Sequence, residues 1–323
     1  MTKTPRVAAA GLLLAGALVL SLTAATFPLA LSQKQAVQVV LRDGRIDAQA
    51  SNNYDTGRQN SVEQGVEARQ DDANFSLLSQ EGTPSNSSGS AAPKAKDVSA
   101  YLTGTTKTPA EFLATINEPA TNGANPVPAY TWYGVYRKNS QKEPWRLQYG
   151  EAILASLPAP GVSMTAGQAQ IQSHGSDSAV AALAKYLNTG QGNISPTTDA
   201  SSWYSTDQQE TSTYAGSGIA VGFKFSVDRS PVTSVAVSGG TLEFGGIDEV
   251  TTQAAASGVQ CVLANSNNSA EYLTLVPAGI QYQEITVDTL NQVAIFVPTG
   301  SGQPLQLLSF DPQLMSADTP ACG

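Results

Sequence analysis

The sequence predicts an α+β protein, and three observations carry that prediction. Short runs of alternating apolar and polar residues, rich in Val, Ile, Thr, Tyr and Trp, recur through the second two-thirds of the chain between Gly, Ser and Asn turns. That is the pattern of antiparallel strands. Two other stretches carry apolar residues at helical spacing, each placed ahead of such a run of strands. Before both lie a charge-free leader and a polar segment. The expected organisation is an anchor or signal over residues 1–31, a largely disordered polar stalk over 32–94, a first α+β unit over 95–160 and a second over 161–323.

Val7 to Leu31 holds about 25 residues without a charge, enough to cross the hydrocarbon core of a bilayer as a helix. Lys3 and Arg6 precede it and set the N-terminus on the cytoplasmic side. The leader has two readings. Thr23, Ala24 and Ala25 offer a small-residue cleavage site, which would release a secreted protein. The apolar run continues through Phe27 and Leu31, which suits a retained single-pass anchor with the rest of the chain outside. Both readings export the chain beyond Leu31.

Composition agrees with export. With a net charge of -9 and a pI near 4.6, the chain repels nucleic acid. Cys261 and Cys322 are its only cysteines, and in an oxidising compartment they are expected to pair. The loop of about 60 residues would be worth roughly 4 kcal/mol on a chain-entropy estimate.

Past the leader, Gln33 to Asp47 mixes Val37, Val39, Val40 and Leu41 with charges, either prolonging the membrane helix or beginning a stalk. Ala48 to Pro93 offers too little apolar surface to offset the entropy of ordering. Within it Val62, Val66, Ala73 and Leu77 share a rough helical face, with Glu63, Glu67 and Arg69 outside. Glu81 to Pro93 reads as flexible tether.

Pro109, Glu111, Phe112, Leu113 and Ile116 predict a short helix. Strands are expected next at Ala129 to Lys138 and Trp145 to Leu154, with a boundary at Pro158, Pro160 and Gly161. Asp177 to Asn188 is the best amphipathic helix, with Val180, Leu183, Ala184 and Leu187 on one face, Ser176 as N-cap and Gly190 as stop. Trp203 and Tyr204 fall in a polar loop. Strands are expected at Ile219 to Ser226, Val232 to Val237, Thr241 to Phe244, Tyr272 to Val276, Glu284 to Leu290, Val293 to Val297 and Leu305 to Phe310, with a hairpin turn at Ser238, Gly239 and Gly240.

The strand Pro144 to Tyr149, the hairpin Val235 to Phe244 and the strand Val293 to Pro298 resemble an uncharacterised family of exported actinobacterial proteins. One transmembrane helix followed by tandem helix-on-sheet units also resembles membrane-anchored conjugation or secretion-channel subunits with NTF2-like or cystatin-like exterior domains. The resemblance implies an assembly or interaction role.

No cofactor, metal or nucleotide motif stands out. His174, the only histidine, has Ser173, Ser176 and Asp177 beside it, but triad members converge from separate elements and these are consecutive. Gly216-Ser217-Gly218 lacks nucleophile-elbow spacing and reads as a turn entering a strand. Asp71-Asp72, Asp248-Glu249 and Asp43 with Asp47 are expected on solvated surface. Trp132, Tyr133, Tyr136, Trp145 and Tyr149 are the one concentration with a functional reading: they fill a core, or they form a recognition surface.

Three functions remain open. The first is a non-catalytic, membrane-anchored exterior module that binds a protein partner or itself. The second is a binder of a small apolar or glycan ligand in a sheet concavity of roughly 300 Å³ or more. The third is an envelope enzyme, which would need acid or amide side chains converging in such a pocket with perturbed pKa values.

Overall fold

The computed structural model describes residues 31–82, 92–103, 107–119, 129–154, 171–174, 178–195, 199–256, 260–264, 269–300 and 302–322. The leader of residues 1–30 lies outside them, as does most of the tether before Pro93 and the boundary at Pro158 to Gly161. Among the described residues no helix is long and apolar enough to cross a membrane.

The chain is α+β, with every described sheet pairing antiparallel. Its N-terminal helices are α1 (Gln33–Ser51), α2 (Thr56–Gln59) and α3 (Gly65–Gln80). A four-stranded sheet comes next in sequence order, from β1 (Val98–Leu102) and β2 (Ala110–Glu118) to β3 (Tyr130–Lys138) and β4 (Arg146–Leu154). Then come β5 (Ile171–His174), α4 (Ala179–Thr189), α5 (Asp199–Ala215), β6 (Ile219–Val227), β7 (Val232–Val237) and β8 (Gly240–Ala255). The chain finishes with β9 (Val262–Leu263), α6 (Ala270–Leu275), β10 (Gln281–Tyr282), β11 (Glu284–Pro298) and β12 (Gln306–Asp318). The second sheet runs β12-β11-β8-β7-β5, and β6 pairs with the far half of β8.

The layers arise from which strand faces are apolar. One face of the four-stranded sheet (Leu113, Tyr133, Val135, Tyr149, Ile153) packs on one face of the second sheet (Val235, Leu242, Phe244, Leu290, Ala294) as a common core. The other face of the first sheet is covered by Ala36, Val39 and Val40 of α1. The second sheet's outer face carries α4 and α5. The two expected units therefore share a buried core between their sheets besides the clusters under α1 and under α4 and α5, because each sheet is apolar on both faces.

Several expectations need correction. The stalk expected over residues 32–94 is, from 33 to 80, a set of packed helices. Composition misleads here because polar side chains hold them. Gln70 Nε2 donates to Leu290 O (2.9 Å) and Asp311 O (2.8 Å), and Gln64 donates from Nε2 to Arg137 O (3.1 Å) and from its backbone to Leu147 O (2.8 Å). The expected helix at Pro109 to Ile116 is strand β2. Its two faces are both covered, Phe112 by the α1 layer and Leu113 by the second sheet, so its apolar residues run on without alternating.

The polar loop around Trp203 is α5, with Ala200, Trp203 and Asp207 buried at helical spacing. The expected strand at Tyr272 is α6, capped by Ser269, whose hydroxyl accepts from Tyr272 N (3.2 Å). β11 is one strand where two were expected. Asn291 and Gln292 stay buried inside it, donating to Glu249 Oε2 (3.1 Å) and Gly150 O (2.8 Å). Other elements form as expected: β3, β4, β6, β7, the turn before β8 with Gly239 at φ +80°, and α4 ended by Gly190 at φ +66°. The N-cap of α4 is Ser178, not Ser176, which lies outside the described residues.

Candidate functional site

Four of the five aromatic residues are core. Tyr133 and Tyr149 lie between the sheets, while Tyr136 and Trp145 pack with Phe112 under α1, the Phe112 and Tyr136 rings stacking at 4.8 Å. Tyr149 is wholly buried, and its hydroxyl donates to Pro231 O (2.7 Å). Of the two readings of this group, core filling suits these four, and period-two alternation sends Tyr133 inward and Trp132 to the opposite face. Only Trp132 remains half-exposed.

That opposite face lines a cleft of about 590 Å³ between the helical layer and the first sheet. Tyr130, Trp132 and Tyr136 stand in line along β3, with Ile116 and Leu147 from the neighbouring strands. Glycine makes the room: a Cβ on Gly134 would overlap the Trp132 ring, and one on Gly150 would lie 3.0 Å from its Cζ2. The indole therefore rests against the backbone of β3 and β4.

The helices supply acid. Asp43 and Asp47 come from α1, Glu63 from the turn ahead of α3, Glu67 and Asp71 from α3, and Glu118 from the end of β2. No lysine, arginine or histidine is among the described lining residues. Arg69, one helical face away, is paired with Asp228 and, at 3.6 Å, with Asp248. The acidic pairs expected on solvated surface are corrected for Asp43, which is buried, and for Asp71, which is half-buried in the cleft. Glu63 and Glu67, expected on an outer helical face, turn inward.

At one point of the cleft Asp47, Glu63 and Asp71 bring carboxylate oxygens within 4.8 Å of one another. Gln59 Nε2 donates into them, to Asp47 Oδ1 (3.0 Å), Asp71 Oδ2 (2.5 Å) and Glu63 Oε1. Glu63 Oε2, Glu67 Oε2 and Gln59 Oε1 are buried without a hydrogen-bond partner among the described residues.

These groups resist ionisation. Burial, followed by the charge of Asp71, holds the Glu63 and Glu67 carboxyls well above the usual range. Burial and then Asp47 push Asp71 up to about 7, against the hydrogen bonds from Glu63 and Gln59. Burial raises Asp43 to about 7 despite Arg42 beside it.

The remaining candidates lie elsewhere. Cys261 and Cys322 form a disulfide, their Cα atoms 6.1 Å apart, that ties residue 322 to the start of β9, while Cys322 N donates to Gln281 O of β10 (3.0 Å). Gly216 to Gly218 is a turn leading into β6. His174 ends β5, paired in register with Val232. What sequence reasoning missed is the acid cluster, although a signal existed: Glu63, Glu67 and Asp71 recur every fourth residue, a like-charge stripe that an isolated helix disfavours.

Fold and cleft together define a protein of two packed antiparallel sheets, helix-covered on both outer faces, with an acidic aromatic cleft under its N-terminal helices. Comparison with protein-family models, curated proteins and solved structures finds no match to this chain.

Proposed function

We propose that this chain is a non-catalytic, membrane-anchored module outside the cell that binds a positively charged ligand in the cleft between α1, α3 and β3. One observation carries the reading: among the described residues, six carboxyl side chains and no basic one line a cleft that also offers Tyr130 and Trp132. A protonated amine or guanidinium on an apolar stem suits both halves, because the charge meets carboxylates while the stem lies on aromatic rings. A basic side chain of a protein partner and a free polyamine share this chemistry. The glycan alternative is less favoured, since a cation draws these burial-raised carboxyl groups into their charged form and gains from it, whereas a neutral sugar does not.

The test is indole fluorescence of the full chain in detergent, titrated with spermidine and with a lysine-rich peptide. Saturable quenching by either, lost in Trp132→Phe and weakened by added salt, is expected. An unchanged spectrum with both probes would refute the reading. The converging carboxyl groups also meet the condition set for an envelope enzyme. That alternative requires turnover of an envelope substrate, abolished by Glu67→Gln.

A further inference from the structure

The point where Asp47, Glu63 and Asp71 meet crowds three carboxyl groups whose oxygens outnumber the donors that reach them. Three carboxylates face one amide nitrogen. That nitrogen has two protons for three acceptors. Glu63 is only 3% exposed, lines the cleft, and has no donor for Oε2 among the described residues. Gln59 is wholly buried and its Oε1 is equally unpartnered there. A buried polar oxygen left unsatisfied is destabilising, and here two belong to side chains of the same cluster.

We propose that Asp47, Glu63 and Asp71 hold one divalent cation of the calcium class, with the Gln59 amide turned so that Oε1 becomes a fourth oxygen ligand. Turning the amide exchanges two atoms of nearly equal size. It replaces a donor too poor in protons for three acceptors with an oxygen, and gives both orphaned oxygens a positive partner. The ligand set is all oxygen, carboxylate and amide, which selects a hard ion and disfavours zinc or copper. Oxygens within 4.8 Å of one another are spanned by a calcium ion with bonds of about 2.4 Å.

The ion would act as a staple. Asp47 lies on α1, Gln59 at the end of α2, Glu63 in the turn beyond it and Asp71 on α3. Three helices expected from composition to be a loose stalk thus meet at one charge. Glu63 also adjoins the first sheet: Leu147 N donates to Val62 O and Gln64 N to Leu147 O, both at 2.8 Å. Binding would therefore set the position of the helical wall of the cleft against β4. The inference stands apart from the proposed cationic ligand, since Asp43, Glu67 and Glu118 remain for one.

The experiment uses the full chain in detergent, stripped with chelator, then titrated by calorimetry with calcium alone at neutral pH. Terbium, sensitised by nearby Tyr136 and Trp132, serves as an independent optical probe. The expected result is one saturable equivalent of calcium per chain, a thermal midpoint that climbs with calcium concentration, and loss of both in Glu63→Gln and in Asp71→Asn. Asp72→Asn, which alters the carboxylate bonded to Asn60 Nδ2 at 2.9 Å, should bind as the wild type does. No saturable uptake by the stripped, folded wild-type chain overturns the proposal. Undiminished uptake in a folded Glu63→Gln chain overturns it as well. A failure of the spermidine titration with calcium binding intact would remove the cationic-ligand reading alone.

Discussion

Replacing Asp43 with Asn tests the electrostatics of the cleft floor most directly. The carboxyl is 3% exposed, with Oδ2 unpartnered among the described residues and Oδ1 held by Arg42. Its folded-state pKa of about 7 stands against 3.8 for the free side chain. Between those values the folded chain keeps a proton that the unfolded chain has released, so stability falls as pH rises through this window. Below pH 3.8 the cost is absent, and above pH 7 it is fully present. A gap of about 3 pK units corresponds to about 4 kcal/mol. Local relaxation around a buried charge lowers what is measured, so a gain of about 2–4 kcal/mol is expected for the variant at pH 8. Arg42 keeps an acceptor in the Asn Oδ1. The assay is urea unfolding of both chains from pH 4 to 8, with the stability difference plotted against pH. It should be near zero at pH 4 and rise to its plateau by pH 8. A difference that does not vary with pH would mean that Arg42 compensates the carboxylate fully, and the reasoning would fail.

Glu111 on β2 accepts from Arg137 Nη1 (2.7 Å) and Thr233 Oγ1 of β7 (3.2 Å), tying the two sheets. Glu111→Ala leaves the guanidinium buried without its carboxylate and should cost about 3–5 kcal/mol by chemical denaturation. Trp203→Ala removes the ring stacked on Phe310 at 4.8 Å and edge-on to Phe225, with an expected loss of about 3–5 kcal/mol in the same assay. Tyr149→Phe removes one of the two donors to the Pro231 carbonyl, leaving Gln148 Nε2 at 3.0 Å, and should cost about 0.5–1.5 kcal/mol. Reducing the Cys261–Cys322 bond should lower stability by up to roughly 4 kcal/mol, with amide exchange quickening first at β10 and the C-terminus.

Legibility tracked how local the stabilising contacts are. Helix α4 announced itself because its buried stripe of Val180, Leu183, Ala184 and Leu187 and its Gly190 stop lie within a dozen residues. β7 and its turn were readable for the same reason, since a hairpin partner is the next segment along. The helices over 33–80 were not, because Gln64 and Gln70 find their acceptors at Arg137, Leu290 and Asp311, far along the chain. A composition that looks unable to fold does so when a sheet arrives to satisfy it. β2 was hidden for a related reason: a strand covered on both faces loses the alternation that identifies strands.

By itself, the sequence determined the α+β class, the antiparallel hairpins, helix α4 and the cysteine pairing, all of which depend on short-range periodicity or on there being only two cysteines. The tertiary structure alone decided that the two sheets share a core, that Trp132 faces a cleft while Tyr133 and Tyr149 do not, and that Asp47, Glu63 and Asp71 converge. The physical reason is that convergence is a property of packing. Carboxylates that repel one another come together only where the burial of apolar surface elsewhere, here α1 on the first sheet and that sheet on the second, brings the backbones bearing them to one place.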